Sequence, residues 1–338
     1  MEAFMEKHNV RLSSAEIGGL WSTYIQETMS VCLLKYFLHH LKDEEIRPLL
    51  EKAIHNSDTH IQQIDKIFSI EGIPIPKGFS DEDVNLSAPP LFYDPFSLSF
   101  IYSMARMGMV NFAFITSNIA RSDTLDFFTN ATKQSIELYK ESTTLMLSKG
   151  IYDRPPMISY PKKVEYIQKQ SYVTEVLGQK RPLNAVELTE LFFNIERNYF
   201  AIILCLALLQ VVKDKEIENY IKDGKDICEK QIKVFNELLM KEDLLGIVPV
   251  SMEVTDSTIS PFSDKLIIAL FDLLNAIDVT FIGHALSASL RVDLAAHYSK
   301  LITEILLYAE KGFSIMVKRG WLEEPPHALN RKELQKNS

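Results

Sequence analysis

The sequence predicts an all-α protein in which one four-helix bundle is written twice in tandem. Apolar residues recur at spacings of three and four over stretches of about 27 residues, each roughly 40 Å long as a helix. The punctuation between those stretches returns at a displacement of about 170 residues, the mark of an internal duplication. Only 12 glycines in 338 residues favour long helices over a turn-rich β fold. Residues 1–150 then make a first bundle, 151–183 a proline-containing basic linker and 184–338 a second bundle.

Taken in order, each helix has a start signal that recurs. Helix one opens at Ser13 with Glu16, and its copy at Asn184 with Glu187. In each pair the first side chain accepts from the N3 amide while the acid reaches back. Lys42-Asp43-Glu44-Glu45-Ile46 and Lys213-Asp214-Lys215-Glu216-Ile217 turn the chain into helix two, with Asp43 and Asp214 as expected N-caps. Asp94-Pro95-Phe96-Ser97 and Ser260-Pro261-Phe262-Ser263 put a capping side chain before a proline at the start of helix three. Helix four follows Arg121-Ser122-Asp123 and Arg291-Val292-Asp293, and the copies close on Gly150 and Gly320.

Helices one and two are joined by a short turn, as are three and four, so each pair is an antiparallel hairpin. Between helices two and three runs a longer segment from Gly72 to Asp94, with Pro74, Pro76, Pro89 and Pro90. That length of extended chain can travel the full height of a bundle, which makes the expected topology ferritin-like, with one long crossover. The linker carries Lys162, Lys163, Lys169, Lys180 and Arg181 against Glu165 and Glu175, with a β-like stretch from Val164 to Val176. A basic linker beside acidic bundles is expected to dock on them.

Hydrophobic residues make up 46% and charged residues 24% of the chain, the balance of a globular protein. A net charge of −9 argues against nucleic acid, whose phosphates demand clustered Lys and Arg. Cys32, Cys205 and Cys228 are widely spaced in apolar stretches and read as reduced thiols, and the acidic start MEAFMEKHNV does not resemble a signal peptide, so a cytoplasmic location is expected. Two segments invite a test as membrane spans. Tyr199–Leu209 falls short of the ~20 residues needed, and Pro95–Ala120 carries Ser97, Ser99, Ser103, Asn111, Thr116, Ser117 and Asn118 around its circumference. No membrane span is therefore expected, while a protein partner and an oligomer stay open.

A dinuclear metal site in such a bundle takes a Glu from each of two helices and Glu-x-x-His from the other two. The single Glu-x-x-His is Glu324-Pro325-Pro326-His327, where two prolines preclude a helical face. A smaller candidate does exist. Glu27 lies inside the stripe Leu20, Tyr24, Val31, Leu34, Leu38, and His60 flanks the stripe Ile46, Leu50, Ala53, Ser57, Ile61, Ile64, Phe68. The hairpin brings Glu27 and His60 to one level, which Asn111 and Gln134 also reach. In the second copy the positions become Asn198 and Gln231, with Glu304 in place of Gln134.

Two readings follow: a buried polar network that fixes helix register, or one metal held by Glu27 and His60. Glu51, His55 and Asp58 point to solvent, His39-His40 ends helix one, and His284 and His297 lack an assignable carboxylate. No nucleophile–base arrangement, phosphate loop or dinucleotide fingerprint is present.

Several stretches resemble one family. Gly150-Ile151-Tyr152-Asp153-Arg154-Pro155-Pro156, Lys180-Arg181-Pro182-Leu183, the run from Val254 to Leu266, and Gly320-Trp321-Leu322-Glu323-Glu324-Pro325-Pro326 are similar to an uncharacterised domain-of-unknown-function family of spore-forming Gram-positive bacteria. That resemblance implies duplicated ferritin-like bundles, distantly like spore coat protein F, and assigns no reaction. The expected function is a non-catalytic structural or interaction role without a cofactor, related to sporulation. The alternative is a metal-binding or redox protein using Glu27 and His60 in the first bundle, with one iron, manganese or zinc ion.

Overall fold

The computed structural model describes residues 10–174, 181–246 and 254–336. Its long helices are α1 (Ser14–His40), α2 (Arg47–Glu71), α3 (Asp94–Thr116) and α4 (Ser122–Ser148), followed after the linker by α6 (Ala185–Val211), α7 (Lys215–Met240), α8 (Asp264–Ala288) and α9 (Val292–Arg319). Short helices α5 (Ser171–Thr174) and α10 (Arg331–Lys336) lie in the linker and the tail. No strand forms among the described residues beyond isolated bridges. The protein is all-α, two helical bundles in tandem.

The capping boxes form as written: Ser13 with Glu16 opens α1, and Asn184 with Glu187 opens α6. Asp214 caps α7 by accepting from the Glu216 and Ile217 amides. Two start signals are corrected. Asp43 accepts from Glu45 N within the preceding turn, and α2 begins only at Arg47, because Pro48 has no N–H to give and fits the first helical turn. In the second copy Ser263, not Ser260, caps α8 through the Leu266 amide. Ser260-Pro261 stays outside the helix, and the Pro261 carbonyl accepts from Asn85 N at 2.7 Å.

The described residues divide into two compact units, one within Met1–Glu82, Phe100–Ser142 and Gly320–Ser338, the other within Asp83–Ser99 and Thr143–Arg319. In the first, Leu20, Tyr24, Ile64, Phe68, Phe112 and Phe128 build the core. The tail contributes Glu323, whose carboxylate accepts the amides of Lys77 and Gly78 at 2.8 and 2.7 Å. Gly78 has φ +59°, and an added Cβ would collide with Thr28 of α1. Thr28 in turn accepts from Phe79 N, so this stretch is seated on α1.

In the second unit, Leu191, Ile195, Phe235, Leu239, Tyr298 and Leu301 are core residues. Here 83–92 of the first crossover meets 254–263 of the second. Val84 bridges Phe262, and Phe92 bridges Val254, both antiparallel. The Phe92 ring stacks on Phe96 and Phe96 on Phe200, with centroids 4.0 and 5.1 Å apart. Tyr220 and Tyr308 stack at 4.4 Å between α7 and α9 over Gly312 and Gly224.

The expectation of no membrane span is overturned on length and composition. Helices Asp94–Thr116, Ala185–Val211 and Asp264–Ala288, of 23, 27 and 25 residues, are each long and apolar enough to cross a membrane. Tyr199–Leu209 looked short because it is the end of a longer helix that also holds Leu188, Leu191 and Phe192. In α3, hydroxyls that signalled polarity are turned back onto the helix: Ser97 donates to Asp94 O and Thr116 to Phe112 O, which reduces what they demand of their surroundings.

The β-like stretch of the linker has no strand in its described part. It runs irregularly to Lys169 and then forms α5, while Glu175 and Val176 lie outside the described residues. The linker's end docks as expected, with Arg181 pairing with the buried Glu187 at 2.7 Å, whereas Met157, Tyr160, Val164 and Tyr166 are exposed.

Candidate functional site

Glu27 and His60 meet in the interior of the first unit. His60 Nδ1 lies 2.7 Å from Glu27 Oε1, and His60 Nε2 lies 2.7 Å from Gln134 Oε1. Three helices thus contribute one side chain each, from within the apolar stripes that brought them inward. The Phe112 and Phe127 rings face the imidazole edge-on at 5.9 and 5.4 Å. Both Glu27 and His60 are buried.

Both ring nitrogens are engaged, Nδ1 by a carboxylate and Nε2 by a side-chain amide. A neutral imidazole donates from one nitrogen and accepts at the other, whereas imidazolium donates from both. Burial works against charge on His60, but the hydrogen bond and charge of Glu27, with the Gln134 carbonyl, outweigh it and raise its pKa above the ordinary value.

Asn111, expected at the same level, instead approaches Gln26 at 3.5 Å. In the second unit Asn198 donates to Gln231 Oε1 at 3.0 Å across the same 33-residue separation as Glu27 and His60. Glu304 does not join that pair. It takes Lys230 at 2.6 Å nearer the surface. The site in the second unit pairs two amides where that in the first pairs a carboxylate with an imidazole.

Other candidates are dispersed. Glu51 and His55 are exposed, and the His39 and His40 rings pack edge-on at 4.8 Å. His284 has a carboxylate after all, Glu190 at 3.2 Å. His327 and Glu324 are 3.7 Å apart and exposed. Among the described residues, no group of three or more His, Cys, Asp or Glu side chains could hold a metal ion. Burial pushes the Cys205 thiol up to about 12 and the Cys228 thiol well above its ordinary value, so neither is an available thiolate nucleophile.

Sequence reasoning missed a second polar constellation, present in both units. Glu16 not only closes its capping box but also accepts the Ala120 and Arg121 amides at 3.3 and 2.8 Å. Arg121 then reaches Glu71 at 2.6 Å and Asp123 at 2.7 Å. Glu187 repeats this with the Leu290 and Arg291 amides, and Arg291 with Glu242 and Asp293. Burial pushes the Glu16 carboxyl up, but the Ser13 amide first, then the Arg121 amide, the Ser13 hydroxyl and the Ala120 amide, win and hold it down at about 2. Both halves were visible as separate repeat anchors; only the turn between α3 and α4 brings them together.

Among solved structures, the chain is similar to a crystal structure described as a "putative spore coat protein" from Bacillus halodurans C-125. The identity is 20% and the TM-score 0.41, covering 45% of this chain and 98% of that one. No curated protein matches the sequence. A family model described as "Protein of unknown function (DUF3231)" matches residues 2–164 and again residues 171–334, one match per repeat, and the chain belongs to that family.

Proposed function

We propose that the protein is a non-catalytic tandem-bundle scaffold that acts through its surfaces, serving a spore-forming cell. The observation that carries this reading is the closure of the His60 site. Both ring nitrogens are already engaged at 2.7 Å, by Glu27 and by Gln134, so the buried histidine has no vacant position to offer a metal or a substrate.

A resident metal does not fit this donor set. Glu27 and His60 supply two ligands where a structural or catalytic site takes three or four, and the third neighbour, Gln134, is a weak amide ligand already engaged. The copy in the second unit retains the polarity of the site with Asn198 and Gln231 but no ligand chemistry at all. A requirement common to both units is helix register, which a satisfied buried polar pair specifies.

The test is elemental analysis of protein purified without chelator or metal-affinity tag. Substoichiometric iron, manganese and zinc are expected. Stoichiometric metal that disappears in the Glu27→Gln, His60→Leu double variant would overturn the scaffold reading in favour of a metal-binding first bundle.

A further inference from the structure

The segment from Met157 to Lys169 combines apolar, aromatic and cationic side chains, and the fold leaves them outside. Met157 is 93% exposed, Tyr160 95%, Val164 84% and Tyr166 81%, with Ile158 and Ile167 also exposed. Between them stand Lys162, Lys163 and Lys169, and the acid among these residues is Glu165, which pairs with Lys163 at 3.1 Å. A contiguous exposed apolar stretch of this kind marks a contact surface.

Its charge states what the contact is. The chain carries a net charge of −9, so a lysine-bearing apolar strip is locally opposite in sign to the molecule around it, yet it lies against neither unit's core. A complementary surface is anionic and tolerant of apolar side chains. Residues 151–170 contain no helix or strand, so they present no ordered face for a rigid protein groove. A bilayer interface needs none: tyrosine rings sit at headgroup level, lysine stems lie along the acyl boundary, and ammonium groups meet lipid phosphates.

We propose that Met157–Lys169 is an anchor for the surface of an anionic lipid bilayer. The experiment is flotation of the full-length chain with vesicles of phosphatidylcholine alone and of phosphatidylcholine with phosphatidylglycerol. Variants are the triple Lys162→Gln, Lys163→Gln, Lys169→Gln and the double Tyr160→Ser, Tyr166→Ser. Because these side chains are exposed, circular dichroism of both variants should match the parent.

Binding is expected only to anionic vesicles, to fall with added salt, and to weaken on the order of a hundredfold in the lysine variant. The tyrosine variant should also weaken it. Equal binding to neutral vesicles, or anionic binding that ignores both variants, assigns the contact to the apolar helices and overturns the proposal. Absence of vesicle binding overturns it as well, and retention on immobilised polyglutamate in that case would assign the segment to an acidic protein.

Discussion

The Glu16 carboxylate and the Arg121 backbone amide are 2.8 Å apart, so the residue that starts α1 also holds the turn between α3 and α4. Glu187 and Arg291 repeat the contact at 3.1 Å. A capping box is a local device, whereas this one ties two hairpins together. It is also why the arginines and aspartates of that turn recur with the caps.

Replacing Glu16 by Ala should cost more than a lost cap. The part-buried amides of Ser13, Ala120 and Arg121 lose a charged acceptor, and a net loss of about 1.5–3 kcal/mol is the expected scale for a hydrogen bond to a charged group. The pH dependence follows from the folded-state pKa, which lies below the ordinary 4.5 at about 2. Stability from Glu16 is therefore complete above about 4.5 and lost as pH falls toward 2. Thermal unfolding between those limits should show a shallower slope for Glu16→Gln than for the parent.

The His60 pair titrates in the opposite sense. Its folded pKa is raised, so its stabilisation is present below the ordinary value of 6.5 and is lost as pH rises through the folded value. Glu27→Gln should change stability modestly. His60→Leu removes the partner of a buried carboxylate and should cost roughly 1–3 kcal/mol whether or not chelator is present. The double variant Glu27→Asn, His60→Gln, which copies Asn198 and Gln231, should remove the loss of stability of the first unit as pH rises above 6.5. Imidazole nitrogen shifts of His60 in the parent should report both nitrogens protonated below pH 6.5, with deprotonation at a higher pH than for a free histidine.

Gly224 and Gly312 face the Tyr308 and Tyr220 hydroxyls, and a Cβ at either glycine would overlap the facing oxygen. Gly224→Ala should destabilise the second unit by about 1–3 kcal/mol, the usual cost of overpacking. Removing the obstructing hydroxyl with Tyr308→Phe should restore part of it, since the Cζ of that ring would still lie 2.8 Å from the new Cβ. A double-mutant cycle in thermal unfolding measures the coupling, and additive effects would show that the two side chains do not compete for the space.

Glu323 should govern the order of residues 77–78. Its carboxylate accepts both amides, so Glu323→Ala should abolish their hydrogen-exchange protection while leaving the α7 amides of the second unit unchanged. Protection that survives the substitution would mean that packing of Gly78 against Thr28 is sufficient.

Helix identity, order and duplication were legible because they are written in local terms. Ser13 with Glu16 and Asn184 with Glu187 act within one turn, and the stripes that carry Glu27 and His60 follow from helical period alone. The meeting of Glu27 and His60 was legible for the same reason, since a short hairpin converts numbering into height. Other features depend on residues distant in sequence. Ser263 rather than Ser260 caps α8, while Asn85 claims the Pro261 carbonyl, and no local rule knows of Asn85. Asn111 faced Gln26 instead of His60 because helix rotation about its axis is set by packing, not by period. The apolarity of α3 was underestimated because hydroxyls count as polar in a sequence until their bonds to the preceding turn are seen. Local chemistry determined what the helices are; long-range competition for carbonyls, amides and space decided how their polar groups pair.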